Sequence, residues 1–221
     1  MSNAVDGRGS PARPVSDHPI EGAPGALLVI ISGPSGVGKD TIIDALRSRG
    51  HEADYHFVVT CTTRARRPDE VDGVSYHFLD RRRFQKLRQE GGLLEANEVH
   101  GNWYGTPVGE VQRALIDGKD VILKIDVQGA QEVKERVPDA LLVFVVPPSL
   151  EALFQRLRAR ATENADELEL RQRNAAIELA RQDDYDHVVT NETGQVDLTA
   201  ERIDRIIAEE HQRSPERRVR V

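Results

Sequence analysis

A glycine-rich segment that ends in a lysine is the part of the sequence whose residue types and spacing point most directly to chemistry. Residues 33–39 read Gly-Pro-Ser-Gly-Val-Gly-Lys, match the pattern G-x-x-x-x-G-K and follow an apolar run at residues 26–32. Glycines let the backbone turn its N–H groups inward onto phosphate oxygens, and the lysine adds a cation for the β- and γ-phosphates. The pattern predicts a nucleotide-phosphate loop formed by Gly33, Pro34, Ser35, Gly36, Val37, Gly38 and Lys39.

The residue after this lysine departs from the usual pattern. A serine or threonine commonly stands there and ligates Mg²⁺ through its hydroxyl, but this chain has Asp40 followed by Thr41. A carboxylate beside phosphates is repulsive unless a cation lies between them. Two interpretations of Asp40 stay open: it is a direct or water-mediated Mg²⁺ ligand, or it points away as part of the first helical turn. Asp40 and Thr41 are counted with the predicted ATP-binding loop.

A second set of polar residues follows in a distinctive order: Thr60, Arg64, Arg67, Glu70, Tyr76, Glu95, Tyr104 and Thr106. Together with the phosphate loop, the segment 125–129 (Ile-Asp-Val-Gln-Gly) and Asn191, this order resembles the guanylate kinase family over residues 26–208. The resemblance implies that the second set binds GMP. It also implies that Asp126 belongs to an acidic motif of the GMP site and that Asn191 lies beside the adenine of ATP.

The chemistry of the first members of this set agrees with phosphate binding. A nucleoside monophosphate presents a dianion, which Arg64 and Arg67 can hold through fork-shaped, charge-assisted hydrogen bonds. The hydroxyls of Tyr76 and Tyr104 can donate two further hydrogen bonds. Taken alone, the arginine cluster has an ordinary alternative, because such runs usually form a solvated loop. Glu70 is assigned to the site by the resemblance.

The remaining members can recognise a base. Guanine carries an N1–H and a 2-amino group, which one carboxylate can accept together, so Glu95 would read guanine. Adenine lacks this pair of donors and would leave a buried acceptor unsatisfied, at a cost of roughly 1–3 kcal/mol or more. Thr60 and Thr106 would bond the purine edge. An exposed strand position is the alternative interpretation of Glu95.

Three arginines in a highly charged region, Arg156, Arg160 and Arg171, match arginines of the family's lid. The alternative is an exposed, charged pair of helices. Negative charge spreads over the moving phosphoryl group during transfer, and cations are needed to neutralise it while water is excluded.

The resemblance implies direct, in-line transfer from ATP to GMP, and to dGMP, with Mg²⁺ as cofactor. The assisting cations would be Lys39, Arg64, Arg67 and the lid arginines.

Lys124 is a second departure, because many guanylate kinases carry a carboxylate two residues before the position of Asp126. Parallel strands end at one edge of a sheet, so Asp40 and Lys124 are expected at the same edge. We hypothesise that the negative charge missing from the strand reappears on the loop helix. The alternative is a strand-end lysine that reaches solvent or phosphate.

Apolar runs alternate with helical patterns along the chain, which predicts an α/β fold with a mainly parallel sheet. The resemblance specifies a P-loop NTPase-type parallel sheet flanked by helices, with a GMP-binding subdomain and a helical lid. One strand is expected at residues 57–62, a turn region at 100–105, and helices at 129–136 and 200–212. The predicted units are a core at 25–59, 107–155 and 186–208, a GMP-binding subdomain at 60–106 and a lid at about 156–185.

Composition limits the remaining possibilities. The formal net charge is −7, so the chain has no overall attraction to nucleic acid. No run approaches the 18 apolar residues of a membrane span, and Cys61 is the only cysteine, which suits a reducing, cytoplasmic compartment. Residues 1–24 lack periodicity and are expected to form a disordered tail. Residues 209–221 are expected to contain a helix end and a short basic, solvated tail.

The expected function is therefore phosphorylation of GMP by ATP in purine nucleotide metabolism and GMP recycling. A related kinase of ribose 1,5-bisphosphate is one alternative, since such enzymes also tend to carry Gly-Lys-Asp in the phosphate loop. A catalytically inactive, guanylate-kinase-like module that binds proteins is the other. The intact loop lysine argues against that module, and the full set of GMP-type residues argues against the bisphosphate kinase.

Overall fold

A computed structural model describes residues 19–51, 53–99, 101–160 and 165–221, without the side chains of 159–160 and 165–168. The strands are β1 (Leu28–Ser32), β2 (Tyr55–Phe57), β3 (Cys61–Thr62), β4 (His77–Phe78), β5 (Leu93–Val99), β6 (Asn102–Pro107), β7 (Asp120–Lys124), β8 (Leu141–Val146) and β9 (His187–Thr190). The helices are α1 (Lys39–Ser48), α2 (Arg81–Gln89), α3 (Val108–Ile116), α4 (Val127–Arg136), α5 (Leu150–Arg160), α6 (Ala165–Leu179) and α7 (Val196–Arg213).

The main sheet has the strand order β2-β7-β1-β8-β9 in the described part of the chain, and its neighbouring strands are parallel. Its central strand, β1, reads Leu-Val-Ile-Ile-Ser and is buried throughout. A continuous apolar run of this kind is typical of a parallel strand covered on both faces. This sheet confirms the predicted α/β class, and it brings the loops after β1 and β7 to one edge.

Helices cover both faces of the sheet because successive side chains of a strand point to opposite faces. Val29 and Ile31 pack with residues of α1 and α7 in one buried cluster. Leu28 and Ile30 pack with residues of α3 and α4 in another. The helices α4 and α7 begin at Val127 and Val196, earlier than the sequence pattern predicts.

A smaller sheet has the order β4-β3-β6-β5 within the described residues. The predicted single strand at residues 57–62 is wrong, because β2 ends at Phe57 in the main sheet and β3 begins at Cys61 in the small one. The predicted turn region at 100–105 is also wrong over most of its length. Gly101, at φ 74°, turns the chain into β6, which pairs antiparallel with β5. Because β6 contains polar and half-buried residues, it lacks the apolar alternation of an obvious strand.

The expectation of a solvated C-terminal tail is wrong. Val219 is fully buried in the cluster that contains α3 and α4, and the Val221 N–H donates to the Ile20 carbonyl at 2.9 Å. Arg217 Nη1 donates to Glu210 Oε1 at 2.6 Å. Residues 20–25 thus pair with the C-terminus, whereas residues 1–18 of the predicted N-terminal tail lie outside the described residues. Among the described residues, no helix has the length and apolar character to cross a membrane.

Candidate active site

The predicted phosphate loop connects the end of β1 to the start of α1, as the motif requires. Gly33 has φ 144°, and a Cβ there would collide with the backbone carbonyl of Val145 in the neighbouring strand. Gly38 has φ 103°, and a Cβ there would lie 2.6 Å from Asn191 Nδ2. Both positions therefore need glycine for a backbone conformation and for a close approach. The loop geometry is set by the centre of the main sheet.

Lys39 lies at the first position of α1 and turns back across the loop. Its Nζ donates to the Gly33 carbonyl at 2.5 Å and to the Pro34 carbonyl at 3.1 Å. Burial lowers the pKa of Lys39, while the nearby carboxylates of Glu178 and Asp126 oppose that effect. The Lys39 ammonium therefore lies at the loop, and it is a charged donor of the kind that can bind phosphate oxygens.

Asn191 and Arg156 join the loop to the segment after β9. Asn191 Nδ2 donates to the Val37 carbonyl at 2.8 Å. Arg156 Nη1 donates to the same carbonyl at 3.0 Å, and its Nη2 donates to the Asn191 carbonyl and to Thr193 Oγ1, both at 3.1 Å. Thr199 Oγ1 supports Asn191 by donating to its Oδ1 at 3.2 Å. Sequence reasoning missed Thr193 and Thr199, since single threonines carry no motif.

The charged helix α6 also contacts the phosphate loop. The Ser35 N–H donates to Glu178 Oε2 at 3.1 Å, a contact that the sequence did not indicate. Arg171 lies half-buried on the same helix. Arg160, the third predicted lid arginine, ends α5, and its side chain lies outside the described residues. The structure therefore places α6 against the loop and leaves the predicted role of Arg160 as a prediction.

On the acceptor side, Glu70 joins the two predicted phosphate-binding arginines. Arg64 Nη2 donates to Glu70 Oε1 at 2.6 Å, and the Arg67 N–H donates to Glu70 Oε2 at 2.8 Å. Burial would raise the pKa of Glu70, but these two contacts outweigh it and lower the pKa. The carboxylate is therefore ionised and fixes the guanidinium of Arg64.

Aromatic rings line the same region. The Arg64 guanidinium lies 5.6 Å from the centre of the Tyr76 ring, and the rings of Tyr76 and Tyr104 are 6.1 Å apart in an edge-on arrangement. A guanidinium over a ring face gains cation–π attraction and loses conformational freedom. The structure thus brings Arg64, Tyr76 and Tyr104 together, with Arg67 held through Glu70.

Glu95 is a buried carboxylate, only 2% exposed. Its Oε1 accepts from Thr106 Oγ1 at 2.8 Å, and its Oε2 accepts from Asn97 Nδ2 at 3.1 Å. Burial raises the pKa of Glu95 from 4.5 to about 7, against the effect of these two donors. The exposed-strand interpretation of Glu95 is therefore wrong. Sequence reasoning missed Asn97, which also donates to Glu132.

Thr60 and Asp126 complete the predicted acceptor set. Thr60 is 7% exposed at the approach to the small sheet. Asp126 Oδ1 caps α4 by accepting from the N–H groups of Gln128 and Gly129 at 2.8 and 3.0 Å. The charge of Asp126 acts on Lys39 and on Glu95. Asp126 therefore lies near enough to Lys39 and to Glu95 for its charge to affect the pKa of each.

The two departures from the usual pattern meet each other. Lys124 Nζ contacts Asp40 Oδ1 at 2.5 Å, and it lies 5.1 Å from the centre of the Tyr76 ring. The side chain of Lys124 is 22% exposed, whereas that of Asp40 is 65% exposed. The sequence placed these residues at one edge, and the structure shows that they form an ion pair.

Comparison with known proteins shows the family of this chain. The family model described as guanylate kinase matches residues 26–210. The chain belongs to the guanylate kinase family. Curated guanylate kinases from Streptococcus agalactiae and Lactococcus lactis are 46% and 44% identical to it, over 85% of this chain and 88% and 89% of theirs. The crystal structure of a guanylate kinase from Anaplasma phagocytophilum superimposes with a TM-score of 0.71 at 29% identity, covering 88% of this chain and 90% of that one.

The residues of this guanylate kinase family member fit a magnesium ion that is bound mainly by the nucleotide. The described residues contain no group of three or more His, Cys, Asp or Glu side chains that could hold a metal by themselves. Mg²⁺ at kinase sites usually takes one or two carboxylates and completes its shell with phosphates and water. Asp40, beside the loop lysine, and Asp126, at the same edge, are carboxylates of the required kind.

Proposed function

We propose that this member of the guanylate kinase family transfers the γ-phosphoryl group of ATP to GMP, and to dGMP, and forms ADP together with GDP or dGDP. The observation that carries the proposal is the buried Glu95 carboxylate, whose bonds from Thr106 and Asn97 fix its orientation. A carboxylate at this position can accept the paired N1–H and 2-amino donors of guanine. Such a residue is expensive to bury without a function, as its raised pKa indicates.

The donor nucleotide would bind at the phosphate loop. Backbone N–H groups of the loop and the N-terminus of α1 suit an anion. Lys39 would bind the β- and γ-phosphates after leaving the carbonyls that it contacts in the structure. Asn191 and Arg156, which both bond the Val37 carbonyl, would shape the adenine side of the site. Thr41 would lie within reach of the phosphates, on the first turn of α1.

The acceptor phosphate would bind between Arg64, Arg67, Tyr76 and Tyr104. Glu70 fixes Arg64 and the backbone of Arg67, so it would act by positioning these groups. Holding both substrates in line removes much of the entropic barrier of a reaction between two molecules. Thr60 and Thr106 would bond the purine edge on either side of Glu95.

Transfer would be direct. A phosphate oxygen of GMP is already a nucleophile at neutral pH, so the reaction needs neither a general base nor a covalent intermediate. Lys39, Arg64 and the lid arginines would stabilise the charge that spreads over the moving group. Mg²⁺, held through Asp40 or Asp126 and the nucleotide, would supply further charge neutralisation. The lid residues Arg156, Arg160 and Arg171 would exclude water when both substrates are bound.

A product assay tests the proposal against its two rivals. The full chain is incubated with ATP and Mg²⁺ together with GMP, AMP or ribose 1,5-bisphosphate, and the products are separated by anion-exchange chromatography. We expect equal amounts of ADP and GDP with GMP, and little product with the other acceptors. Turnover of the bisphosphate alone would favour the first rival. Failure to bind ATP would favour the protein-binding module, and absence of GDP would overturn the proposal.

A further inference from the structure

Lys124 joins three parts of the molecule that the reaction must bring together. It ends β7 in the main sheet, its Nζ contacts Asp40 on α1 at 2.5 Å, and it lies 5.1 Å from the Tyr76 ring. Asp40 follows the lysine of the donor loop, and Tyr76 belongs to the proposed acceptor-phosphate set. One ammonium group thus stands at the junction of the donor and acceptor sites.

Two partners hold this ammonium group in place: the Asp40 carboxylate and the Tyr76 ring. An ammonium group has three donors, which allows it to contact more than one partner at once. The partly exposed side chain is therefore a charged donor at the acceptor side of the site.

The pair also departs from the charge arrangement that is usual in the family. There, a hydroxyl commonly follows the loop lysine and a carboxylate commonly stands two residues before the second acid. Here a carboxylate, Asp40, follows the loop lysine, and the cation Lys124 stands on the strand. If Asp40 and Lys124 had only a structural role, they would need only to neutralise each other. The additional contact with Tyr76 indicates that Lys124 faces the acceptor site as well.

We propose that Lys124 is a further cationic ligand of the acceptor phosphate and that Asp40 holds its ammonium group in position. The inference rests on the proposed function, since it assigns one more residue to the GMP site. Lys124 would act beside Arg64 on the GMP dianion, at the side that faces the donor loop.

Binding without turnover separates this role from a structural ion pair. The affinities of the wild-type chain and of Lys124→Gln for GMP and for guanosine are measured by calorimetry, without ATP or Mg²⁺. Loss of one charge-assisted hydrogen bond lowers affinity by about 10- to 100-fold. We expect such a loss for GMP and no change for guanosine, which lacks the phosphate. Lys124→Arg, which keeps the charge, should retain most of the GMP affinity.

Two further variants complete the design. Lys86→Gln removes an exposed lysine on α2 that pairs with Glu90, and it should bind GMP as wild type does. Asp40→Asn keeps Lys124 but removes its partner, and it should weaken GMP binding less than Lys124→Gln does. Circular dichroism establishes that each variant is folded. Should Lys124→Gln fail to fold, the double variant Lys124→Gln/Asp40→Asn removes the same cation without leaving an unpaired carboxylate and gives the same comparison.

The outcomes distinguish this inference from the proposed function. Unchanged GMP affinity in Lys124→Gln would overturn the inference and leave only a structural ion pair. An equal loss for GMP and guanosine would also overturn it, because the effect would not depend on the phosphate. If the wild-type chain itself did not bind GMP, the proposed function would fail first.

Discussion

The donor loop and the acceptor region recognise their proposed ligands by different means. The donor loop uses backbone geometry fixed by the central strand, where Gly33 packs against the backbone of Val145. The acceptor region uses side chains that hold one another, as Glu70 holds Arg64 and Thr106 holds Glu95. Backbone amides bind any phosphate chain, whereas a buried carboxylate distinguishes bases. Donor residues should therefore determine rate, and acceptor residues should determine which nucleotide is used.

The largest effect is expected from Lys39→Met. Removing the loop cation should lower kcat by about 10²–10³-fold, because charge on the transferring group loses a preorganised partner. The loss should be the same with every acceptor, since the donor loop does not contact the base. Steady-state rates with GMP and AMP check this expectation, and Lys86→Met serves as a control. A loss confined to one acceptor would contradict the proposed division between the two regions.

A smaller but selective effect is expected from Glu95→Gln. The amide can accept through only one atom, so kcat/KM for GMP should fall by roughly 10- to 100-fold. The KM for ATP should stay within a factor of about two, because the donor loop is unaltered. Glu98→Gln changes an exposed glutamate on the same strand and should behave as wild type. A rise in the ATP KM of similar size would instead indicate that Glu95 supports the whole site.

The pKa of Glu95 predicts a pH dependence that the donor loop does not share. Burial raises this pKa to about 7 in the folded protein, and only the ionised form accepts both guanine donors. The KM for GMP should therefore rise as pH falls through 7, by about tenfold between pH 8 and pH 6 for a single titrating group. Glu95→Gln should lose this part of the dependence. If the KM for GMP varied with pH in the wild type as it does in Glu95→Gln, the assignment of Glu95 to guanine binding would be contradicted.

The raised pKa of Glu95 also makes the stability of the folded protein depend on pH. The folded protein holds its proton on Glu95 more tightly than the unfolded chain does. Stability contributed by the protonated group is therefore present below the ordinary pKa of 4.5 and is lost as pH rises through about 7. Glu95→Gln should raise the melting temperature at pH 8 relative to wild type more than it does at pH 5. Thermal unfolding monitored by circular dichroism measures the difference.

The smallest effect is expected where the donor loop is changed without altering its backbone. Ser35 is exposed, and it donates to Glu178 through its backbone N–H. Ser35→Ala should therefore change kcat and KM by less than about threefold, as is usual for surface substitutions. Thr106→Val, a matched loss of one hydroxyl in the acceptor region, should weaken GMP binding by about tenfold. Equal effects in Ser35→Ala and Thr106→Val would contradict the proposed contrast between the donor loop and the acceptor region.

The parts of the site that could be predicted from the sequence are those encoded by local chemistry. The phosphate loop depends on glycine conformations within seven residues, so its pattern is visible without any tertiary information. The apolar strand that precedes it is equally clear, because both of its faces are buried. The proximity of Asp40 and Lys124 also followed from a general property of parallel sheets, although their direct contact did not.

The parts that could not be predicted depend on contacts distant in sequence. Strand β6 contains few apolar positions, and its pairing with β5 becomes visible only in the folded chain. Val219 follows a run of charged residues, yet it fills a place in the core beside α3. Glu178 is one acid among many on a charged helix, and its contact with Ser35 spans 143 positions. Composition alone cannot single out such residues.

The specificity ratio tests the central claim most directly. The ratio of kcat/KM for GMP to that for AMP is measured at saturating ATP and Mg²⁺ in the wild-type chain, Glu95→Gln and Lys39→Met. We predict a wild-type ratio far above one, a ratio lowered by at least about tenfold in Glu95→Gln, and an unchanged ratio in Lys39→Met. A wild-type ratio near one, or an equal fall in both variants, would contradict guanine recognition by the acceptor region.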